Sequence, residues 1–183
     1  MRALLTALAL ITPAASLAMP QSATIPWTDR RPAERGERQL RTTMIAAHNA
    51  ARRQYGVRPL VWDDSLVRDA RAYARHLART RRFEHDRQIG RRTRQGENLW
   101  MGTRTAYSYA EMIGALVAER RYYRPGRFPA VSRTGNWSHV AHYTQIVWPA
   151  SQRVGCATAS NRKRDYLVCR YLPAGNLVGV IMR

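Results

Sequence analysis

The sequence RVGCATASNRKRDYLVCRY, residues 153–171, contains two mostly apolar runs separated by a short polar stretch. The runs, 153–159 and 165–171, are predicted to be β-strands, because each is short, rich in β-branched, aromatic or small apolar residues, and bounded by polar turn residues. Together they form a β-hairpin. The hairpin brings together Cys156 and Cys169, the only two cysteines of the chain.

These two cysteines have a single possible intramolecular pairing. A disulfide between Cys156 and Cys169 is the natural interpretation if the protein reaches an oxidising compartment. It would stabilise the fold by about 3 kcal/mol for a loop of this size. A metal site with two cysteine ligands is the alternative.

The first 18 residues have the organisation of a secretory signal peptide. Arg2 supplies a charged start, residues 3–11 are almost entirely apolar, and Ser16-Leu17-Ala18 is a small-x-small cleavage sequence. The apolar run is shorter than the roughly 20 residues that span a bilayer; an uncleaved surface anchor is the alternative. We therefore predict that residues 1–18 are removed and that the protein is secreted, into a periplasm or out of the cell.

The chain is strongly basic, with 31 Lys and Arg residues against 12 Asp and Glu residues and a formal charge of +19 over 183 residues. Export argues against a nucleic-acid partner despite this charge. The 45% hydrophobic content argues against disorder and suffices for one core. We predict an extended segment over residues 19–37, then one domain over 38–183. We expect a monomer without a transmembrane segment.

Three helices are predicted before the hairpin. Helix one covers 38–55, and helix two covers 65–80 with Asp63 or Asp64 as its cap. Helix three begins at Ser108, where a Ser-x-x-Glu capping box is present.

A third strand is predicted at 142–148, in addition to the two strands of the hairpin. Three helices followed by a short antiparallel sheet predict an α+β domain.

Helix two carries two stripes on opposite sides. The apolar stripe is Leu66, Ala70, Tyr73 and Leu77. The basic stripe is Arg68, Arg71, Arg75, Arg79 and Arg82. The basic stripe is either a solvated face or a surface that contacts an anionic partner, such as a cell-wall polymer or lipid headgroups.

Four residues are candidates for a chemical site. His85 lies in a loop, and His142 opens the predicted third strand after a loop. Glu97 has apolar neighbours, and Glu119 lies on the inward side of helix three, where a carboxylate needs a partner. The partner is either an arginine, in a salt bridge, or a divalent metal shared with histidines. His48, near the core face of helix one, is expected to be a packed, hydrogen-bonded histidine.

Two long segments carry a resemblance to a known family. Residues 141–148, AHYTQIVW, and residues 166–177, YLVCRYLPAGNL, resemble the two signatures of the CAP superfamily, whose domain is also called the SCP domain. Three shorter segments are similar to other typical parts of that family: His48-Asn49-x-x-Arg52, Pro59-Leu60-x-Trp62 and Gly96-Glu97-Asn98-Leu99. The resemblance spans residues 40–177. Ala141 departs from the Gly or polar residue that usually precedes the histidine.

The resemblance implies an α-β-α sandwich with a central antiparallel sheet between helical layers. It also implies a cleft in which His85 and His142 bind a divalent metal such as Zn²⁺ and Glu97 and Glu119 complete the set. The family pattern agrees with the disulfide as well.

Several functions are compatible with this resemblance. The leading hypothesis is a secreted, non-enzymatic binding protein for lipid, sterol-like or cell-envelope ligands. The alternative is a metal-dependent hydrolase, a peptidase or cell-wall hydrolase, in which Glu97 or Glu119 acts as general base. A glycosidase with these two glutamates as paired carboxylates is a more distant option. In a third hypothesis the four site residues are structural, and the basic stripe of helix two binds the cell envelope.

Overall fold

A mixed four-stranded sheet forms the centre of the computed structural model, which describes residues 35–90 and 92–182. The strand order is β1-β4-β5-β2. The strands are β1 Val61–Trp62, β2 Gly96–Thr103, β4 Arg153–Ser160 and β5 Arg164–Leu172. The pairs β4–β5 and β5–β2 are antiparallel, whereas the short β1 runs parallel to β4.

The predicted hairpin is confirmed, with strand boundaries within one residue of expectation. Cys156 lies opposite Cys169 in the β4–β5 register, and the two residues form a disulfide with Cα atoms 4.1 Å apart. The disulfide therefore links the two central strands of the sheet.

Two strands of the central sheet were missing from the prediction. β2 pairs with β5 along its whole length, from Gly96 opposite Tyr171 to Thr103 opposite Arg164, and forms one edge of the sheet. β1 lies between the first two predicted helices, where no strand was predicted. The expectation that the sheet follows all the helices is therefore wrong, because β1 and β2 precede the second and third helices respectively.

Four α-helices surround this sheet. They are α1 Glu37–Arg53, α2 Asp64–Thr80, α3 Tyr109–Val117 and α4 Ala141–Ile146. Two 3₁₀ helices, Ala118–Tyr122 and Trp137–Val140, follow α3 and precede α4. A second small sheet pairs β3, Gly126–Arg127, with β6, Ile181–Met182.

The predicted helix starts are confirmed by their caps. Asp63 caps α2, since its Oδ1 accepts the backbone N–H groups of Ser65 and Leu66 at 2.8 and 3.3 Å. The capping box of α3 is complete, with Ser108 and Glu111 each accepting the other's backbone N–H.

The helices form two layers, one on each face of the sheet. α2 packs through Ala70, Ala74 and Leu77 onto one face. Its backbone approaches β4 so closely at Gly155 that a Cβ atom there would lie 2.5 Å from the amide nitrogen of Val67. α1, α3 and α4 cover the other face with a larger buried cluster. This arrangement confirms the predicted α-β-α sandwich.

The strand predicted at 142–148 is wrong, because this segment begins in helix α4. Residues 143–148 are all buried, so the alternation of a half-buried strand is absent. The β-branched Thr144, Ile146 and Val147 favour a strand locally. The backbone instead follows tertiary partners that are distant in sequence.

Each end of α4 is held by a charged side chain. Glu119 Oε2 accepts the first-turn N–H groups of His142 and Tyr143 at 2.9 and 3.1 Å. The buried Arg52 donates from Nη1 to the carbonyls of Ile146 and Trp148, each at 2.9 Å. A six-residue helix is marginal alone, and these bonds supply the partners that its free backbone groups need.

The predicted signal peptide, residues 1–18, lies outside the described residues, as does nearly all of the predicted extended segment 19–37. Glu37, the last residue of that segment, already belongs to α1. Within the described part of the chain, no helix is both long enough and apolar enough to cross a bilayer.

Candidate functional site

His85 and Glu97 form the first of two histidine–glutamate pairs. His85 Nδ1 lies 2.6 Å from Glu97 Oε1, which also accepts the backbone N–H of Asp86 at 3.1 Å. A carboxylate oxygen accepts, so the imidazole donates from Nδ1. The side chain of Glu97 is 5% exposed, whereas that of His85 is 67% exposed. The pair therefore consists of a solvent-exposed imidazole in a loop and a buried carboxylate on the sheet.

A buried arginine lies behind this pair. Arg170 lies opposite Glu97 in the β2–β5 register, and its side chain is fully buried. Its Nη2 is 2.6 Å from Asp86 Oδ2 and 2.9 Å from Glu97 Oε2. Its Cζ lies 5.1 Å from the ring centroid of Tyr73 on α2, a cation–π distance. One guanidinium thus ties the loop that carries His85 to the sheet.

The hydroxyl of Tyr73 lies in the same charged environment, which affects its hydrogen bonding and its pKa. Its hydroxyl donates to the carbonyl of Glu84 at 2.6 Å, which holds the start of the His85 loop. Burial, with the carboxylates of Glu97 and Asp86 nearby, raises the pKa of Tyr73 to about 12. The phenol therefore remains a donor throughout the physiological range.

His142 and Glu119 form the second pair. His142 Nδ1 lies 2.5 Å from Glu119 Oε1, while the other oxygen of Glu119 caps the start of α4. The side chains are 31% and 20% exposed. Glu119 was expected on helix three but belongs to the 3₁₀ helix that follows α3. Each glutamate is therefore paired with a histidine, and Glu97 also contacts the arginine Arg170.

Two consecutive residues of β2, Glu97 and Asn98, contact the two histidines. Glu97 bonds to His85 on the α2 side of the sheet, and the next residue, Asn98, faces the opposite side. Asn98 donates from Nδ2 to the carbonyl of His142 at 3.0 Å and to the hydroxyl of Tyr171 at 3.1 Å. The edge strand thus positions both histidines through consecutive side chains.

His48 extends this network into the core. It is fully buried, as the sequence predicted, with Nδ1 2.7 Å from the carbonyl of Met44 and Nε2 2.7 Å from the hydroxyl of Tyr171. Because a carbonyl only accepts, Nδ1 carries the proton and Nε2 accepts from Tyr171. Burial lowers the pKa of His48 to about 4. His48 is therefore a neutral structural histidine.

A cleft of about 340 Å³ opens beside the first pair. Its lining includes the polar residues His85, Glu97, Gln95, Gln145 and Asn176. Gly96 and Gly175, also in the lining, make room for the amide of Gln145. A Cβ atom on Gly96 would lie 2.2 Å from Gln145 Oε1. Gln145 belongs to α4, so the cleft lies between the His85 loop and the helix that carries His142.

The donor set of the two pairs fits a divalent metal through the imidazoles. Each histidine uses Nδ1 for a glutamate, so in the neutral ring Nε2 carries the lone pair that binds metal. A carboxylate behind a ligating histidine is a recurrent arrangement in metal sites. The described residues contain no group of three or more His, Cys, Asp or Glu side chains placed to hold a metal. In this arrangement the glutamates orient the histidines, and water or a ligand would complete the coordination.

The basic stripe predicted on helix two is only partly intact. Arg71 pairs with Glu37 of α1 at 2.7 Å, and Arg82 lies beyond the end of α2. Arg68, Arg75 and Arg79 remain exposed on the helix.

Sequence reasoning missed Arg170, Asp86 and Asn98 as parts of the site. A detectable signal was present for Arg170, since it is the one charged residue within the buried run Tyr166–Tyr171. A buried arginine requires hydrogen-bond acceptors, of which a carboxylate is the charged kind. Asp86 directly follows His85, but its contact with Arg170 spans 84 residues and depends on the tertiary structure.

Comparison with known proteins agrees with this fold. Residues 45–171 match the model of the CAP family, described as the cysteine-rich secretory protein family. The chain is 38% identical over 137 residues to pathogenesis-related protein 1C of Nicotiana tabacum, covering 74% of this chain and 76% of that protein. It is 32% identical over 144 residues to pathogenesis-related protein PR-1 of Medicago truncatula, covering 78% of each. The chain belongs to the CAP family.

Solved structures share the fold at lower sequence identity. A crystal structure of NaASP2 with Zn²⁺ matches with a TM-score of 0.64 and 22% identity, covering 78% of this chain and 84% of that one. The structure of BmVAL-1 matches with a TM-score of 0.64 and 21% identity, covering 83% and 85%. These matches establish the sandwich architecture.

Proposed function

We propose that the chain is a secreted, non-enzymatic binding protein whose His85 and His142 hold a divalent cation through Nε2. The observation that carries the proposal is the paired geometry, in which both Nδ1 atoms are bound to glutamates at 2.5–2.6 Å. Zn²⁺ is the favoured ion, since it binds imidazole nitrogen and tolerates sites in which water or a ligand fills the remaining coordination positions. The crystal structure of the relative NaASP2 with Zn²⁺ agrees with this choice of ion.

The ligand of the cleft is proposed to be an oxygen-rich molecule from a cell envelope. The lining offers the exposed cation of Arg94 and the exposed imidazole of His85. It also contains the side-chain amides of Gln95, Gln145 and Asn176, each of which bonds within the protein as well. These groups suit hydroxyl, amide or carboxylate groups better than the body of a sterol. A lipid or sterol-like ligand would contact the rim, where Leu177 is 54% exposed.

A metal-dependent hydrolase receives less support from the same geometry. Its general base needs a carboxylate oxygen free to accept a proton from bound water. Glu97 uses Oε1 for His85 and Asp86, and its Oε2 faces Arg170. Glu119 uses both oxygens for His142 and the start of α4. The same contacts weigh against a glycosidase with these two glutamates as acid and base.

Titration calorimetry with Zn²⁺ on the secreted form tests the metal proposal. Wild type is expected to bind one ion per chain, and the His85→Ala/His142→Ala variant to lose measurable binding. Glu97→Gln and Glu119→Gln should each weaken binding by about tenfold to a hundredfold, because each removes the carboxylate behind one ligand.

A His76→Ala/His139→Ala variant is the matched control, since both histidines lie outside the two pairs. It should bind Zn²⁺ as wild type does. Equal affinity of wild type and the His85→Ala/His142→Ala variant would overturn the metal proposal.

A further inference from the structure

A second surface gathers cations from three separate segments of the chain. We define it as the basic band: the exposed residues Arg68, Arg75 and Arg79 of α2, Arg81 and Arg82 after it, Arg104 after β2, and Arg162, Lys163 and Arg164 at the β4–β5 turn. The first five lie within residues 68–82, and the other four lie at least 22 residues further along the chain. The tertiary structure brings the others beside them.

Hydrogen bonds hold these segments together. Asn161 donates from Nδ2 to the carbonyl of Ala78 near the end of α2, at 3.2 Å. Its Oδ1 accepts the backbone N–H groups of Lys163 and Arg164, each at 2.9 Å. The backbone N–H of Arg104 donates to the carbonyl of Lys163 at 3.0 Å. The turn is therefore fixed against both α2 and the end of β2.

The band is elongated along α2. Arg68, Arg75 and Arg79 are spaced by seven and four residues, which places them within an arc of about 40° on the helix. They span about 16 Å along its axis. The turn lies beside the end of α2, through the contact of Asn161 with Ala78, and the end of β2 lies beside the turn.

The cations of the band are unpaired within the described chain. The ion pairs formed by described arginines involve Arg35, Arg71, Arg153 and Arg170, none of which belongs to the band. The nearest carboxylate in the turn, Asp165, is buried and pairs with Arg35. Neighbouring like charges repel each other, so an external anion would relieve this repulsion.

We propose that the basic band binds a linear, phosphate-bearing polymer and thereby docks the protein on an anionic envelope. The fork of an arginine matches the oxygens of a phosphate, and a row of arginines matches successive charges along a chain. A membrane surface fits less well, because membrane-binding faces add apolar side chains to their cations. The only large exposed apolar side chain adjoining the described band in sequence is Phe83.

The band is independent of the metal cleft. The turn lies at the Arg164 end of β5, whereas Arg170 and Glu97 lie toward the other end, about 20 Å away along the strand. The proposal therefore goes beyond the proposed metal-dependent function and can stand or fail separately.

Fluorescence anisotropy with labelled inorganic polyphosphate, in the presence of EDTA and across a salt series, tests the proposal. The band variant replaces four cations by glutamine, at Arg75, Arg79, Arg162 and Lys163. A matched control removes the same charge elsewhere, by glutamine at the exposed Arg38, Arg53, Arg58 and Arg124. Circular dichroism verifies that both variants fold.

We expect the band variant to bind polyphosphate at least tenfold more weakly at about 0.1 M salt. The slope of log affinity against log salt should fall by about one for each contacting cation that is removed. The control should stay within about threefold of wild type. The His85→Ala/His142→Ala variant should bind polyphosphate as wild type does, which separates this test from that of the cleft.

Two outcomes would overturn the proposal. One is an equal loss in the band variant and the control, which would mean that net charge alone attracts the polymer. The other is tighter binding of wild type to phosphatidylglycerol vesicles than to polyphosphate at equal phosphate concentration, which would assign the band to a membrane.

Discussion

The His85–Glu97 pair and the His142–Glu119 pair share one contact, an imidazole Nδ1–H donated to a carboxylate, but different parts of the fold hold their carboxylates. Glu97 lies on a β-strand, 5% exposed, against the buried guanidinium of Arg170. Glu119 lies on a 3₁₀ helix and caps the first backbone N–H groups of α4. The first support is a buried charge pair, and the second is a helix cap.

Because their supports differ, the two histidine–glutamate pairs should be disrupted by different substitutions. Removing the cation behind Glu97 takes a guanidinium away from a buried carboxylate, which is costly. Disturbing α4 displaces His142 together with the helix that carries it. Variants that break one support and spare the other therefore separate the two contributions.

The largest effect is expected from Arg52→Met, which removes the support at the far end of α4. Arg52 donates four hydrogen bonds to backbone carbonyls, those of Arg58, Ile146, Trp148 and Ser151. Charged hydrogen bonds of this kind contribute about 1.5–3 kcal/mol each, and their acceptors would be left buried and unpaired.

We expect Arg52→Met to lower the free energy of unfolding by at least about 4 kcal/mol, measured by urea denaturation. Arg53→Met, on the exposed neighbour, is the control and should change stability by less than about 0.5 kcal/mol. A loss below about 1 kcal/mol in Arg52→Met would contradict the role assigned to these bonds.

The next effect is expected from Arg170→Met, which breaks the support of the first pair. It should cost about 3 kcal/mol in urea denaturation, because Glu97 and Asp86 lose their buried cation. The NMR signals of the His85 ring should shift, while those of His142 should remain close to wild type. Arg170→Lys keeps the charge and should recover part of the stability. Equal disturbance of both imidazoles would mean that the pairs are not independently supported.

The smallest effect is expected from pH, through the network that links the core to the second pair. His48 has a folded-state pKa of about 4, below its usual 6.5. Between these two pH values the imidazole is protonated in the unfolded chain but neutral in the folded chain. This contribution to stability is complete above pH 6.5 and declines as pH falls toward 4. It amounts to a loss of about 2 kcal/mol at pH 5 relative to pH 7.5.

The measurement is urea denaturation at both pH values for wild type and His48→Gln, whose amide does not titrate. The variant should lose about 2 kcal/mol less than wild type between the two pH values. An identical loss in both proteins would show that other groups carry the acid sensitivity. Comparing the NMR signal of His142 across the same range tests whether protonation of His48 reaches the second pair through Tyr171 and Asn98.

Local patterns predicted the elements that depend on near neighbours. α2 and α3 begin at the expected caps, Asp63 and Ser108, because a cap is a contact over two or three residues. The β4–β5 hairpin and its disulfide follow from a short turn between two apolar runs. The four site residues were identified by the family resemblance together with their loop or inward positions.

Distant contacts account for the errors. Residues 142–146 have strand-like composition, yet they form a helix because Glu119 and Arg52 satisfy its ends from 23 and 94 residues away. β2 is an edge strand whose Gly-Glu-Asn start has low strand propensity. Its pairing with β5 fixes it nonetheless.

The sequence by itself determined the family, the disulfide pair and the capped helices, because each is written in local spacing or in a contiguous motif. Only the tertiary structure decided that each histidine turns Nδ1 to a glutamate and that Arg170 lies beneath one pair and a helix end beneath the other. The tertiary structure also decided that the β4–β5 turn lies beside the arginines of α2. These outcomes depend on burial and on contacts across many residues, and no local pattern encodes them.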